Sequence, residues 1–186
     1  MTIRLRVRRC LAYSALWMTC LAIGRAQNSP VSSIPAKRPT ACQSPAHRAL
    51  DFWIGEWDVT NAAGKVAGHS SVNSILDGCV IMENWTSNGS VYEGKSFNVF
   101  DPASGTWTQT WVDNTGSPAQ MTGEFHGKDL VYRREFKKAD GAPVRSRMTF
   151  FDLGAAGVRQ LIEESTDGGK TWTAQYDLSY PRRKNN

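Results

Sequence analysis

From residue 55 to residue 180 the chain alternates apolar and polar positions with a period of two, the signature of strands buried on one face. Segments rich in β-branched and aromatic residues fall at 55–61, 66–75, 79–87, 91–100, 106–112, 118–125, 128–137, 144–153, 158–165 and 171–180. Turn residues separate them, among them Ala63-Gly64-Lys65, Asp77-Gly78, Asn88-Gly89, His126-Gly127-Lys128 and Asp140-Gly141. Gly, Asn and Asp accept the positive φ that tight hairpins require. About ten strands with no helical segment between them predict an all-β sandwich or up-and-down barrel, and closure would remove the exposed edges. Ahead of the strands, Ser44-Pro45-Ala46-His47-Arg48 reads as an N-cap followed by proline at the first helical position. A short helix is expected there, carrying Leu50, Phe52 and Trp53.

The pattern changes before residue 42. Arg4, Arg6, Arg8 and Arg9 precede an apolar run from Cys10 to Ile23, and Gly24-Arg25-Ala26 places small residues around a cleavage point after Ala26. This is the order of a secretory signal over 1–26, and the apolar run is short for a membrane span. Residues 27–41 are rich in Ser, Pro and Ala and read as a flexible linker, 42–182 as the folded domain and 183–186 as a basic tail. The expected location is exported, in the periplasm or the medium, with no membrane anchor. Five of the 22 Lys+Arg lie in the signal, so 17 basic residues face 17 acidic ones in the remainder. The basic pI of 9.2 therefore belongs mostly to the signal, and no clustered basic face beyond Arg182-Arg183-Lys184, which reads as a solvated end, suits nucleic acid. Cys42 and Cys79 are left as a pair in an oxidising compartment, where a disulfide is expected and two buried thiols are the alternative.

Four stretches carry a resemblance: Phe52-Trp53-Ile54-Gly55-Glu56-Trp57-Asp58-Val59, Leu76-Asp77-Gly78-Cys79, Gly94-Lys95-Ser96-Phe97-Asn98 and Gln109-Thr110-Trp111-Val112-Asp113. Over about residues 45–182 they resemble a family of exported bacterial proteins of unknown function that is similar to the lipocalin-like (calycin) barrels. The resemblance implies an antiparallel barrel of eight to ten strands with a short helix closing one end, and a structural place for Trp57 across the barrel floor. It implies little about activity.

Candidate chemistry follows from strand parity. Trp107, Gln109, Trp111 and Asp113 share one face, opposite Thr106, Thr108 and Thr110. Such a face either fills a barrel or lines a ligand cavity. Glu83, Trp85, Ser96, Asn98, Arg147, Gln160, Ile162 and Glu164 are further candidate inward groups. The residues assigned to ligand binding are Glu83, Trp85, Asn98, Trp107, Gln109, Trp111, Arg147 and Glu164. Inward-facing Glu83, Glu164 and Arg147 would need one another, as the polar end of a ligand site or as a pair that only holds register. The run Ser165-Thr166-Asp167-Gly168-Gly169-Lys170-Thr171-Trp172 matches the Asp-box S-x-D-x-G-x-T-W, and a single copy reads as a hairpin rather than a catalytic unit. His47, His69 and His126 are dispersed, so neither a metal nor a haem site is indicated, and no cofactor is expected. Two functions result: an exported, non-catalytic protein binding a small apolar or amphipathic molecule, or a barrel hydrolase or isomerase using Glu83, Glu164 or Asp113 with Arg147. A structural or interaction domain with a filled core is the third. The oligomeric state is not legible.

Overall fold

The computed structural model describes residues 41–182. The signal at 1–26 and the tail at 183–186, with all of the linker but Ala41, lie outside the described residues. Ten strands form one closed, antiparallel, up-and-down barrel: β1 (Gly55–Asn61), β2 (Val66–Ile75), β3 (Val80–Ser87), β4 (Glu93–Asp101), β5 (Thr106–Asp113), β6 (Ala119–His126), β7 (Asp129–Lys137), β8 (Pro143–Asp152), β9 (Val158–Ser165) and β10 (Thr173–Tyr180). Every strand pairs with its sequence neighbours, and β10 returns to β1. Among the described residues, no helix is long and apolar enough to cross a membrane.

The closing seam is short. β1 and β10 are joined at Thr60–Ser179 and Asn61–Leu178, with an isolated bridge from Trp57 to Arg182. Arg182 reinforces it. Its guanidinium stands 4.7 Å from the Trp57 ring centre and donates to the Ile54 carbonyl at 3.1 Å. Arg182 is exposed, and it belongs at the same time to the closing seam of the folded domain.

Helix α1 (Pro45–Arg48) and a 3₁₀ turn (Asp51–Trp53) plug one end of the barrel. The Ser44 hydroxyl caps α1, accepting from the His47 amide at 3.4 Å. Beneath the plug, Leu50, Trp53, Trp57 and Phe150 are wholly buried and pack with Tyr180. The Trp57 indole donates to the Trp53 carbonyl at 2.9 Å, and Trp53 meets Phe150 with ring centres 4.6 Å apart. Trp57 thus occupies the structural position expected of it. Full burial of each such ring contributes roughly 2–3 kcal/mol.

Cys42 and Cys79 form a disulfide, with Cα atoms 4.9 Å apart. It ties the segment before α1 to the turn between β2 and β3, where Leu76 and Asp77 hold left-handed backbone at φ 52° and 57°. Disulfides persist in oxidising, exported environments.

The Asp-box folds as a hairpin between β9 and β10. The Asp167 carboxylate accepts from the Thr171 hydroxyl and amide, from the Ser165 hydroxyl and from the Lys170 amide, which together hold its pKa well below the usual carboxylate range. The Trp172 indole donates to the Gly169 carbonyl. These groups satisfy one another on the outside of the barrel.

Candidate functional site

The barrel is hollow toward the end opposite the plug. A cavity of about 580 Å³ opens between the strands, with Ser117 and Pro118 of the β5–β6 turn completing its lining. Its walls are apolar and aromatic: Trp85, Trp111, Met121, Met148, Ile162 and Leu178. Its polar groups are few and specific, led by Glu83, Gln109, Gln160 and Arg134. A mostly apolar pocket with a small set of convergent polar groups is the usual form of a small-molecule site.

What keeps the barrel hollow is a set of glycines facing inward. A Cβ on Gly94 would stand 2.3 Å from the Trp111 ring, one on Gly68 2.7 Å from Trp85, and one on Gly123 2.5 Å from Tyr132. The Trp111 and Trp85 rings therefore lie against a neighbouring strand instead of reaching across the lumen, whereas Tyr132, outside the cavity's lining, passes over Gly123 to bond Asn98 on β4. Both indole N–H groups are held by the residue two positions on. Trp85 donates to the Ser87 hydroxyl at 2.9 Å and Trp111 to Asp113 at 3.0 Å. Gly94→Ala is expected to push Trp111 off the wall, cost about 1–3 kcal/mol by overpacking and shrink the cavity. Urea denaturation checks the first effect, and probe binding to the refolded variant the second.

A hydrogen-bonded network forms one side of the cavity. The Ser70 and Ser96 hydroxyls donate to Glu83 at 2.7 and 3.2 Å. Asn98, one layer deeper and wholly buried, donates to the Ile81 carbonyl and to Ser96. Gln109 and the Tyr132 hydroxyl donate in turn to the Asn98 side-chain oxygen, at 3.1 and 2.9 Å. Burial raises the Glu83 pKa to about 7, and the two serine hydroxyls offset only part of that rise. Burial likewise raises the Tyr132 and Tyr180 phenols, the latter further through the nearby Glu83. Tyr180 donates to Gln160 at 3.2 Å.

Asp113, on the same wall, is the opposite kind of carboxyl. The Thr115 hydroxyl, the Trp111 indole and the Tyr92 hydroxyl all donate to it, and they hold its pKa well below the usual range, the Thr115 contact foremost. Two carboxyls in one cavity thus have environments that push their pKa values apart.

The eight residues assigned from sequence separate in space. Glu83, Trp85, Gln109 and Trp111 line the cavity, and Asn98 lies behind them. Trp107 faces inward at the plugged end, packed on Phe100 and Phe125. Glu164 shares the parity of Gln160 and Ile162 but lies beyond the cavity's lining, paired with Ser146 and Thr173 near the end of β9. Arg147 is on the outer face, where it makes a bidentate pair with Glu163 at 2.6 and 3.1 Å and stacks over Trp172 at 4.2 Å. The inward orientation expected of Arg147 is therefore corrected by one residue, because Ser146 and Met148 take the inward positions of β8. The interior arginine is Arg134 on β7, together with Tyr92 and Tyr176 an unforeseen lining residue. Parity along β7, counted from Leu130 and Tyr132, points to it.

The fold and site define a closed antiparallel barrel with an internal, partly polar cavity. No family model matches the chain. The chain is similar to a curated xyloglucanase of Paenibacillus sp, 32% identical over 125 residues, which cover 63% of this chain and 12% of that protein. The chain thus corresponds to a small part of that relative's length.

Proposed function

We propose that this protein is an exported, non-catalytic binding protein that holds one small, largely apolar molecule inside its barrel. The observation that carries the reading is the cavity of about 580 Å³, whose Trp85 and Trp111 walls lie against the inward glycines Gly68 and Gly94. A barrel selected only for stability would fill such a space, since close packing is the norm in interiors. The disulfide is consistent with export. Native mass spectrometry of protein purified without denaturation tests the reading. The expected spectrum contains the chain plus one discrete small mass, absent after unfolding and diminished in Gly94→Ala. A spectrum of bare protein, with no apolar probe taken up on titration, would reject it.

A second reading is a glycosidase-like enzyme. Two observations favour it: the similarity to a xyloglucanase and the contrast between Glu83, near pH 7, and the strongly acidic Asp113. Such contrasted carboxyls are how acid and base roles are divided at a glycosidic bond. Release of reducing ends from xyloglucan oligosaccharides, abolished by Glu83→Gln, would establish this reading over the first. No turnover by the purified protein would dismiss it.

A further inference from the structure

Three charged side chains line the cavity, and two of them are supplied with partners by the protein itself. The Glu83 oxygens accept from Ser70 and Ser96, and the Asp113 oxygens from Thr115, Trp111 and Tyr92. Arg134 differs. Its guanidinium carbon stands 4.5 Å from the Phe136 ring centre, a contact that occupies the face of the group and leaves its in-plane N–H donors to find acceptors. Its Nε is buried without a hydrogen-bond partner. Among the described residues, no carboxylate lies within ion-pair distance of it. Arg134 as a whole is half-buried, so it is this one nitrogen of the charged group that is shut off without a partner, and such an atom calls for a specific explanation.

The geometry points to Arg134 as the anchor for an anionic group of the cavity's occupant, which makes that occupant an amphipathic organic anion. The inference rests on the reading of the cavity as a ligand site. The guanidinium offers a planar fork of donors suited to a carboxylate or sulfonate. Trp85, Trp111, Met121, Met148, Ile162 and Leu178 offer the surface for an apolar or aromatic body. Asp113 does not take the guanidinium for itself, because its oxygens are already met by four donors: the Thr115 amide and hydroxyl, Trp111 and Tyr92.

The test uses two fluorescent probes with one ring system, 1-anilinonaphthalene-8-sulfonate and the neutral N-phenyl-1-naphthylamine. Both are titrated into the purified protein and into Arg134→Gln and Arg134→Lys. Removing the cation is expected to weaken the sulfonate about tenfold or more while the neutral probe changes by less than about twofold, as for loss of a charge-assisted contact. Lysine, which keeps the charge but not the fork, is expected to fall between. Retained binding of the neutral probe reports that each variant is folded. In the unsubstituted protein, 1 M salt is expected to weaken the sulfonate and not the neutral probe. Both probes bound with affinities indifferent to residue 134 and to salt would overturn the inference and leave the cavity reading standing. Neither probe bound would overturn both.

Discussion

Replacing both Cys42 and Cys79 by serine is expected to lower the unfolding free energy by about 4 kcal/mol. The estimate comes from the loop-closure entropy that a cross-link over a sequence separation of 37 removes from the unfolded chain. The native state contributes as well. The disulfide lies beside Leu76 and Asp77, whose left-handed backbone is unfavourable for residues with a Cβ. It also fixes the start of the segment that leads into α1 and the plug residues Leu50 and Trp53. Urea denaturation of the oxidised protein, the reduced protein and the double-serine variant measures the difference. Reduced and double-serine proteins should agree. A loss below about 1 kcal/mol would mean that the unfolded ensemble is already restricted near this turn.

The second large effect is a pH dependence centred on Glu83. The carboxyl titrates near pH 7 in the folded protein, against 4.5 as its ordinary value, because burial disfavours the charged form. Between these values the folded protein keeps a proton that the unfolded chain has released. Stability therefore falls as pH rises from about 4.5, and the loss is complete just above pH 7. The gap corresponds to at most about 3 kcal/mol. Glu83→Gln keeps the shape and cannot ionise, so its stability should be flat over that interval and exceed that of the unsubstituted protein at pH 8. Denaturation midpoints at pH 4.5, 6, 7 and 8 for both proteins provide the comparison. A parallel decline in both would assign the dependence to other groups. The same titration bears on the cavity, since Glu83 offers a neutral hydroxyl at low pH and a negative charge at high pH.

The strand ladder was legible because alternation and turn chemistry agree along the whole domain. Gly64, Gly89, Gly127 and Gly141 sit in turns with positive φ where hairpins were expected. On β5, Trp107, Gln109 and Trp111 alternate cleanly with threonines, so the inward face could be read directly. On β8 it could not. Met148, Thr149 and Phe150 are all buried, so the apolar pattern marks both faces there and leaves the phase of Arg147 open by one residue. Only pairing with β7, where Met148 stands opposite Tyr132, sets the phase. Arg134 stands next to Arg133 in a charged run, where charge alone does not separate the inward position from the outward one and only parity from Leu130 and Tyr132 does.

By itself, the sequence determined the class of fold, the number of strands, the short capped helix, the cysteine pair and the inward face of β5. These follow from local periodicity, turn propensity and a count of residues, none of which needs distant contacts. The tertiary structure decided whether the barrel is hollow and which charges face its interior. A hollow lumen depends on Trp111 lying against Gly94 and Trp85 against Gly68. Both tryptophans reach their glycines diagonally across neighbouring strands. Contacts of that kind exist only once register and twist are set, because a glycine leaves the same mark in a sequence whether it bends a strand or makes room for a ring.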